Sequence, residues 1–194
     1  MSLVILLLAA GASSRMRGGD KLLEEVADAP LILTMARRAR AVAPVVVALP
    51  GPDHPRAHAL ADIDVTQIGV PDADEGMAAS LRTGITALPA TATAVMILPG
   101  DMPELTEGDL QTMAHAWQQT PDQIHRATAA DGTPGHPVIF PSRHFDDLQA
   151  LTGDTGARAI LSTHPVHPVA LPDRHAITDL DTPEDWAAWR AARS

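Results

Sequence analysis

The sequence predicts an α/β protein with a Rossmann-like, doubly wound and mostly parallel sheet that carries helices on both faces. Continuous apolar runs, such as Ser2–Leu8 and Ala94–Leu98, are typical of parallel strands that are buried on both faces. Segments with helical periodicity lie between these runs, and such β-α-β alternation favours a parallel sheet. The length of 194 residues suits one domain, and without a repeat or a long linker we expect a single domain over residues 1–194.

The composition excludes several classes of function. The formal net charge of −10 disfavours a nucleic acid or an anionic membrane as the partner. The chain has no cysteine, which excludes disulfides, thiolate metal sites and cysteine nucleophiles. We predict a cytoplasmic protein.

In the first half of the chain, strands and amphipathic helices alternate. Ser2–Leu8 is predicted as a strand; a signal peptide is the alternative, but no basic residue precedes the run, which is too short to span a bilayer. A helix begins at Pro30 and continues to about Val42, because proline suits the first turn and apolar side chains recur on one face. The other predicted elements are strands at Val45–Leu49, Asp64–Ile68 and Ala94–Leu98, a broken helix at Pro52–Ala61 and a helix at Met77–Leu88.

The second half has a different pattern and is expected to form a smaller appended region. A helix starts near Thr106, where Asp109 has the spacing of a capping box. The last helix starts at Thr182, with a proline and acidic residues in its first turn. The other predicted elements are strands at Ile124–Ala129, Pro137–Phe140, Val166–Leu171 and Ala176–Leu180, and helices at Ser142–Leu151 and Ala157–His164.

The most informative segment is the loop Ala9–Lys21, which follows the first strand. Its residues are mostly small, so that backbone N–H groups can approach an anion closely. Lys21 is the only lysine among 14 basic residues, and lysine is a compact point charge suited to phosphate oxygens. With Arg15 as a second cation, the segment is predicted to bind a triphosphate; an ordinary strand-to-helix turn is the alternative. It contains neither the Walker pattern nor the dinucleotide fingerprint.

Two acidic segments are candidates for a Mg²⁺ site. Asp101 directly follows a buried strand, next to Gly100, and so occupies a rigid position at the sheet edge. Mg²⁺ prefers one or two carboxylates together with phosphate oxygens and water. Asp181 could supply the second carboxylate, with Asp179 as the alternative ligand. An ordinary turn and an ordinary helix start are the competing interpretations of the two segments.

Three further glycine-containing segments are candidates for substrate contacts. Gly76 could bring the backbone close to a nucleobase, and Ser80 offers a hydroxyl one turn into the following helix. The segments Gly132–Val138 and Gly153–Arg158 are polar and contain several glycines. They could close over a second substrate, with His136 and Arg158 reaching its anionic groups. A glycine that starts a helix and a structural histidine are the simpler alternatives.

Together these segments resemble the nucleotidyltransferases of the molybdenum cofactor cytidylyltransferase type, within the glycosyltransferase-A-like nucleotidyltransferase superfamily. The motif Leu-Ala-Ala-Gly-x-Ser-x-Arg-Met starting at Leu8 is similar to the superfamily's signature loop. The more specific matches are Gly135-His136-Pro137-Val138 and Gly153-Asp154-x-Gly156-Ala157-Arg158. The other matching segments are Gly76–Gly84, Gly100–Pro103 and Asp179–Asp185.

The resemblance implies transfer of CMP from CTP to the phosphate of molybdopterin, or of the molybdenum cofactor, with release of pyrophosphate and with Mg²⁺ as cofactor. A molybdoenzyme that receives the product is a further implied partner. The open alternatives are GTP as donor, a sugar or alditol phosphate as acceptor, and a non-catalytic molybdenum-cofactor chaperone. The implied nucleotide-binding residues are Leu8, Ala9, Ala10, Gly11, Arg15, Lys21, Gly76, Ser80 and Gly100. The other implied residues are Arg15, Lys21 and Asp101 for catalysis; Asp101 and Asp181 for the metal; and His136, Asp154 and Arg158 for the second substrate.

Overall fold

The computed structural model describes residues 1–153 and 156–193. The strands in these ranges are β1 (Leu3–Leu8), β2 (Glu25–Val26), β3 (Ala29–Pro30), β4 (Val45–Leu49), β5 (Thr66–Gly69), β6 (Ala94–Pro99), β7 (Ile124–Thr128), β8 (Pro134–Pro141) and β9 (Val166–Ala170). The α-helices are α1 (Leu31–Arg40), α2 (Pro55–His58), α3 (Met77–Thr86), α4 (Glu107–Gln119), α5 (Phe145–Gln149), α6 (Arg158–Thr163) and α7 (Pro183–Ala191).

Seven of the strands form one sheet in the order β5-β4-β1-β6-β8-β7-β9. All neighbouring pairs are parallel except the two that involve β8, which runs antiparallel to β6 and β7. The prediction of a mostly parallel sheet is therefore confirmed. The expected appended region is wrong, because β7, β8 and β9 from the second half extend the same sheet instead of forming a separate layer.

The central strand β1 shows why helices cover both faces of the sheet. Its side chains alternate between two apolar clusters, with Ile5 in one cluster and Leu6 in the other. Helices α1, α4 and α7 contribute to the first cluster, and α3, α5 and α6 contribute to the second. Two buried faces explain why β1, β4 and β6 are apolar throughout rather than alternating.

The predicted strand Ala176–Leu180 is wrong. The chain turns here instead, with hydrogen bonds from His175 N to the Pro172 carbonyl and from Ile177 N to the Arg174 carbonyl. The Ala176 carbonyl accepts a hydrogen bond from His136 N, and Leu180 N donates one to the Asp101 carbonyl. Ala176 and Leu180 are buried and Ile177 is half-buried, but isolated hydrogen bonds replace the ladder of a strand.

The small hairpin of β2 and β3 was not predicted. Its two connecting residues, Ala27 and Asp28, both have positive φ, at 51° and 65°. Two consecutive left-handed residues are the geometry of a tight hairpin turn, for which Asn-Gly would be the usual signal. Ala-Asp carries no such signal.

The predicted capping box at Thr106 and the predicted helix start at Thr182 are confirmed. Thr106 accepts a hydrogen bond from Asp109 N, and the Asp109 carboxylate accepts one from Thr106 N. Thr182 and Asp185 form the same reciprocal pair at the start of α7. Across residues 1–153 and 156–193, no helix combines the length and the apolarity that a membrane crossing requires.

Candidate active site

The loops that follow β1 and β6 meet at one edge of the sheet, because the two strands are parallel neighbours. They border a cleft of about 550 Å³. The predicted residues that line it are Leu8, Ala9, Ala10, Gly11, Arg15, Lys21, Gly76, Ser80, Asp101, Asp179 and Asp181. Residues from four separate segments of the sequence therefore border a single cavity.

Arg56 organises the loop Ala9–Lys21 from inside the protein. Its side chain is 2% exposed. Its guanidinium donates to the carbonyls of Ala9 and Gly11, at 2.6 Å and 2.8 Å, and to Ser13 Oγ at 2.9 Å. These bonds hold the two loop carbonyls and fix the path of the chain beside the cleft.

Asp20 completes this arrangement. Its carboxylate accepts hydrogen bonds from Arg56 Nε and Nη2, both at 2.7 Å, and from Leu22 N at 3.0 Å. Burial alone would raise the pKa of Asp20, but the hydrogen bonds and charge of Arg56 outweigh it and hold this pKa below its ordinary value. Sequence reasoning missed Arg56, since nothing in Pro52–Ala61 distinguishes it from a surface arginine.

Lys21 joins the two predicted metal ligands. Its Nζ lies 2.5 Å from Asp101 Oδ2 and 2.6 Å from Asp181 Oδ1. Arg15 Nη1 lies 2.8 Å from the second oxygen of Asp181. Burial lowers the pKa of Lys21, but the two carboxylates raise it by a larger amount. The net shift of this pKa is upward, and the ammonium stays charged.

Asp179, the alternative metal ligand, borders the same cleft. Its pKa is raised, first by burial and then by the negative charges of Asp101 and Asp181. Among the residues that the structure describes, Asp101 and Asp181 are the two carboxylates that accept a hydrogen bond from the Lys21 ammonium. Two carboxylates close enough to bind one ammonium are also close enough to bind one divalent cation, so the donor set fits Mg²⁺.

Two glycines shape the cleft through their backbones. Gly76 has φ 110°, a conformation that strongly favours glycine, and it immediately precedes α3, where Ser80 is 7% exposed. Gly100 N donates to the Leu8 carbonyl, and a Cβ at Gly100 would lie 3.0 Å from that oxygen. Gly100 therefore fixes the approach of the two loops rather than lining the cleft itself.

A smaller cavity of about 210 Å³ adjoins the cleft, and Met77 lines both. His136 and Arg158 lie in its wall together with Arg126, which sequence reasoning did not identify. Burial lowers the pKa of His136, and the charge of Arg126 lowers it further. The rest of the wall is largely apolar, including Phe140. The predicted residue Asp154 lies outside the described residues.

A Cβ at Gly135 would lie 1.9 Å from the Ala176 carbonyl oxygen. Glycine is therefore required where the backbone of β8 meets the turn at Ala176, next to His136. The cavity wall depends on this close approach. The whole arrangement offers an amide-lined loop with two cations, a pair of carboxylates, and a cationic and apolar cavity beside them.

Comparisons with known proteins identify the family. The sequence model of the MobA-like NTP transferase domain matches residues 5–169. No curated protein matches the chain in a sequence search. The crystal structure of the Rv0371c protein from Mycobacterium tuberculosis is similar, with 27% identity, a TM-score of 0.84, and coverage of 100% of this chain and 99% of that one.

Two further solved structures are similar. A complex of the same mycobacterial protein with manganese has 25% identity, a TM-score of 0.78 and coverage of 97% of each chain. A molybdopterin-guanine dinucleotide biosynthesis protein A from Archaeoglobus fulgidus shares the fold, at 14% identity, with a TM-score of 0.72 and coverage of 98% of this chain and 100% of that one.

Proposed function

Because this chain belongs to the MobA-like NTP transferase domain family and is a nucleotidyltransferase, we propose that it transfers CMP from CTP to the phosphate of molybdopterin, with release of pyrophosphate. Residues 1–194 would act as one domain in this reaction. The observation that carries the proposal is that Asp101 and Asp181 both contact Lys21, the last residue of the loop Ala9–Lys21, inside the cleft. This is the arrangement that a triphosphate and a cation require: amides and an ammonium on one side, carboxylates on the other.

The reaction is an in-line displacement at the α-phosphorus of CTP. A phosphate oxygen of the acceptor forms the new P–O bond, and the bond from the α-phosphorus to the bridging oxygen of the pyrophosphate breaks. No residue needs to form a covalent intermediate, which suits a chain without cysteine. Catalysis therefore depends on positioning and on neutralising negative charge.

The chain's own cations serve the leaving group. Lys21 and Arg15 lie on the loop that borders the cleft, and their charges stabilise the negative charge that develops on pyrophosphate. Arg56 keeps the loop in one shape by holding the carbonyls of Ala9 and Gly11. A preorganised loop of this kind costs little rearrangement when the charge develops.

Asp101 and Asp181 would hold Mg²⁺. When bound, the ion supplies Lewis-acid polarisation of the α-phosphate. The similar mycobacterial protein has been solved with manganese, which supports a divalent cation as cofactor. The Lys21 ammonium lies between the same two carboxylates and offsets part of their negative charge.

The smaller cavity suits the acceptor. Arg126, Arg158 and His136 can bind a phosphate, and apolar side chains such as Phe140 and Leu161 can contact a flat heterocycle. A simple sugar phosphate would leave these apolar walls without a partner. The cavity therefore favours a pterin phosphate over a sugar or alditol phosphate.

The experiment measures the rate at which the purified chain releases pyrophosphate in the presence of Mg²⁺, CTP and molybdopterin. The same rate is measured with GTP in place of CTP, and with sugar phosphates or methylerythritol phosphate in place of molybdopterin. We expect release only with a nucleotide and molybdopterin together, and faster with CTP than with GTP. Release with another acceptor, or faster with GTP, would replace the proposed substrates. A protein that binds the finished cofactor without releasing pyrophosphate would be a carrier.

A further inference from the structure

A second group of potential metal ligands lies away from the cleft, where the start of α5 meets the end of α6. His144, Asp147 and His164 each offer one ligand atom, and these atoms all lie within 4.8 Å of one another. The rings of His144 and His164 lie 4.7 Å apart, centroid to centroid, and meet edge to face. His144 Nδ1 lies 3.4 Å from Asp147 Oδ2, which is long for a hydrogen bond.

The contacts of His164 favour one tautomer. Its Nδ1 lies 3.0 Å from the carbonyl oxygen of Ile160 and 3.1 Å from Thr163 Oγ1, and the Thr163 hydroxyl donates to the carbonyls of Ala159 and Ile160. Both partners of Nδ1 can therefore accept, which places the proton on Nδ1 and the lone pair on Nε2. An Nδ1–H bonded to a backbone carbonyl is the contact that commonly orients a metal-binding histidine.

His144 is a buried ring with little hydrogen bonding. Its side chain is 3% exposed, and within the described part of the chain its Nε2 has no hydrogen-bond partner. An imidazole whose nitrogens are little used by the protein is available as a metal ligand.

We propose that His144, Asp147 and His164 bind one Zn²⁺ ion, with water as the fourth ligand. Two imidazoles and a carboxylate are a donor set that zinc accepts readily, whereas Mg²⁺ prefers oxygen ligands. In a tetrahedral zinc site with bonds of about 2.0–2.2 Å, donor atoms lie about 3.4 Å apart. His144 Nδ1 and Asp147 Oδ2 already have this separation. The remaining separations are within 4.8 Å, and small shifts of the exposed Asp147 and His164 side chains that keep the His164 contact with Ile160 can close them.

Zinc at this position would link two short helices, α5 and α6, to each other. The ion would connect the start of α5 to His164, the residue that follows α6. Since α6 begins at Arg158, the joined helices support one wall of the smaller cavity. The inference itself concerns metal binding and stability, and it does not depend on the proposed reaction.

The test uses the full chain, prepared without a histidine tag and stripped of metal, in saturating Mg²⁺ so that the carboxylates of the cleft are occupied. Bound zinc is measured by competition with a chromogenic chelator, and Co²⁺ is added separately to record its visible absorption. The ligand variants are His164→Ala and Asp147→Asn, both at exposed positions. The matched control is His115→Ala, an exposed histidine on α4.

We expect one zinc ion per chain, the intense absorption of tetrahedral Co²⁺, and a rise in Tm of roughly 5–10 °C at a hundredfold excess over Kd. His164→Ala and Asp147→Asn should weaken zinc binding at least tenfold and remove the rise in Tm, whereas His115→Ala should retain both. The inference is overturned if the chain binds no zinc, or if the two ligand variants bind it as tightly as the control. Either result would leave the pyrophosphate assay, and the function proposed from it, untouched.

Discussion

The Lys21 ammonium lies 2.5 Å from the Asp101 carboxylate, although 80 positions separate the two residues in the sequence. It also reaches Asp181, so that one ammonium bridges two of the carboxylates that border the cleft. The ammonium therefore lies in the region where a divalent cation would bind. Binding of metal and nucleotide should therefore move Lys21 from the carboxylates toward the triphosphate.

The first prediction concerns Lys21→Met. Turnover should fall about 10²- to 10³-fold, because a preorganised cation is lost from the leaving group. In the absence of nucleotide, however, Mn²⁺ should bind more tightly, because the ammonium no longer competes for Asp101 and Asp181. Initial rates and calorimetric titration with Mn²⁺ measure the two effects.

Arg17→Met is the matched control, since Arg17 lies in the same loop but is 72% exposed and pairs with an exposed Glu184. It should leave both quantities nearly unchanged. Unchanged turnover in Lys21→Met would remove this residue from the mechanism, and weaker Mn²⁺ binding would argue against competition for the carboxylates.

The second prediction concerns the carboxylates. Asp101→Asn and Asp181→Asn should each abolish Mg²⁺-dependent turnover, because an amide is a poor ligand for this cation and the Lys21 contact is weakened as well. Pyrophosphate release measured over a range of Mg²⁺ concentrations distinguishes weaker metal binding from complete loss. Asp62→Asn, at an exposed position, is the control. Full activity of Asp181→Asn at ordinary Mg²⁺ would transfer the role of second ligand to Asp179.

The third prediction concerns Arg56→Met. Removing one partner of a buried ion pair commonly costs about 3–5 kcal/mol, and Arg56 also holds two loop carbonyls. We expect a loss of unfolding free energy in this range, together with a higher KM for CTP. Urea unfolding and initial rates provide the two readouts. The double variant Arg56→Met/Asp20→Asn should regain stability without regaining the low KM. A loss below about 1 kcal/mol would mean that the pair does not stabilise the loop.

The fourth prediction concerns the pH dependence of stability. The pKa of Asp20 is lowered in the folded state, because Arg56 outweighs the effect of burial. Its contribution to stability is therefore complete above the unfolded pKa of about 3.9 and is lost as the pH falls through the folded pKa. The difference in unfolding free energy between the wild type and Asp20→Asn should be constant from about pH 5 to pH 7 and should shrink below about pH 4. A difference that is independent of pH down to the acid transition would contradict this assignment.

The fifth prediction concerns the acceptor cavity. Arg158→Met should raise the KM for molybdopterin about 10- to 100-fold, as expected for the loss of a charged hydrogen bond, and should leave the KM for CTP unchanged. Arg158 lines the smaller cavity but not the larger cleft, so that its loss should affect the KM for the acceptor and not the KM for the nucleotide. Steady-state kinetics with each substrate varied in turn provide the measurement. Arg174→Met, at an exposed position outside both cavities, is the control. Equal effects on both KM values would place Arg158 in a general structural role.

Much of the fold was predictable because short sequence patterns indicate the strands and the helix starts. The apolar runs of β1, β4 and β6 reflect burial on two faces, and the capping boxes at Thr106 and Thr182 are short-range hydrogen-bond patterns. The prediction of a strand at Ala176–Leu180 was wrong, because the segment has the apolar character of a strand but forms a turn that contacts His136 and Asp101. The burial of a segment can be inferred from its residue types, whereas its hydrogen-bonded pairing with a strand far away in the sequence cannot.

The kinds of residue at the candidate site can be inferred from the amino-acid sequence: a lone lysine ends a small-residue loop, and acidic residues follow a buried strand and precede the last helix. Three relationships become visible in the folded chain alone: Lys21 bridges Asp101 and Asp181, Arg56 holds the loop from inside the protein, and Arg126 lines the same cavity as His136. The difference between the two groups is the distance along the chain. Residue type and local spacing fix what a segment can do, but a contact between residues far apart in the chain exists only once the sheet has brought their loops to the same edge.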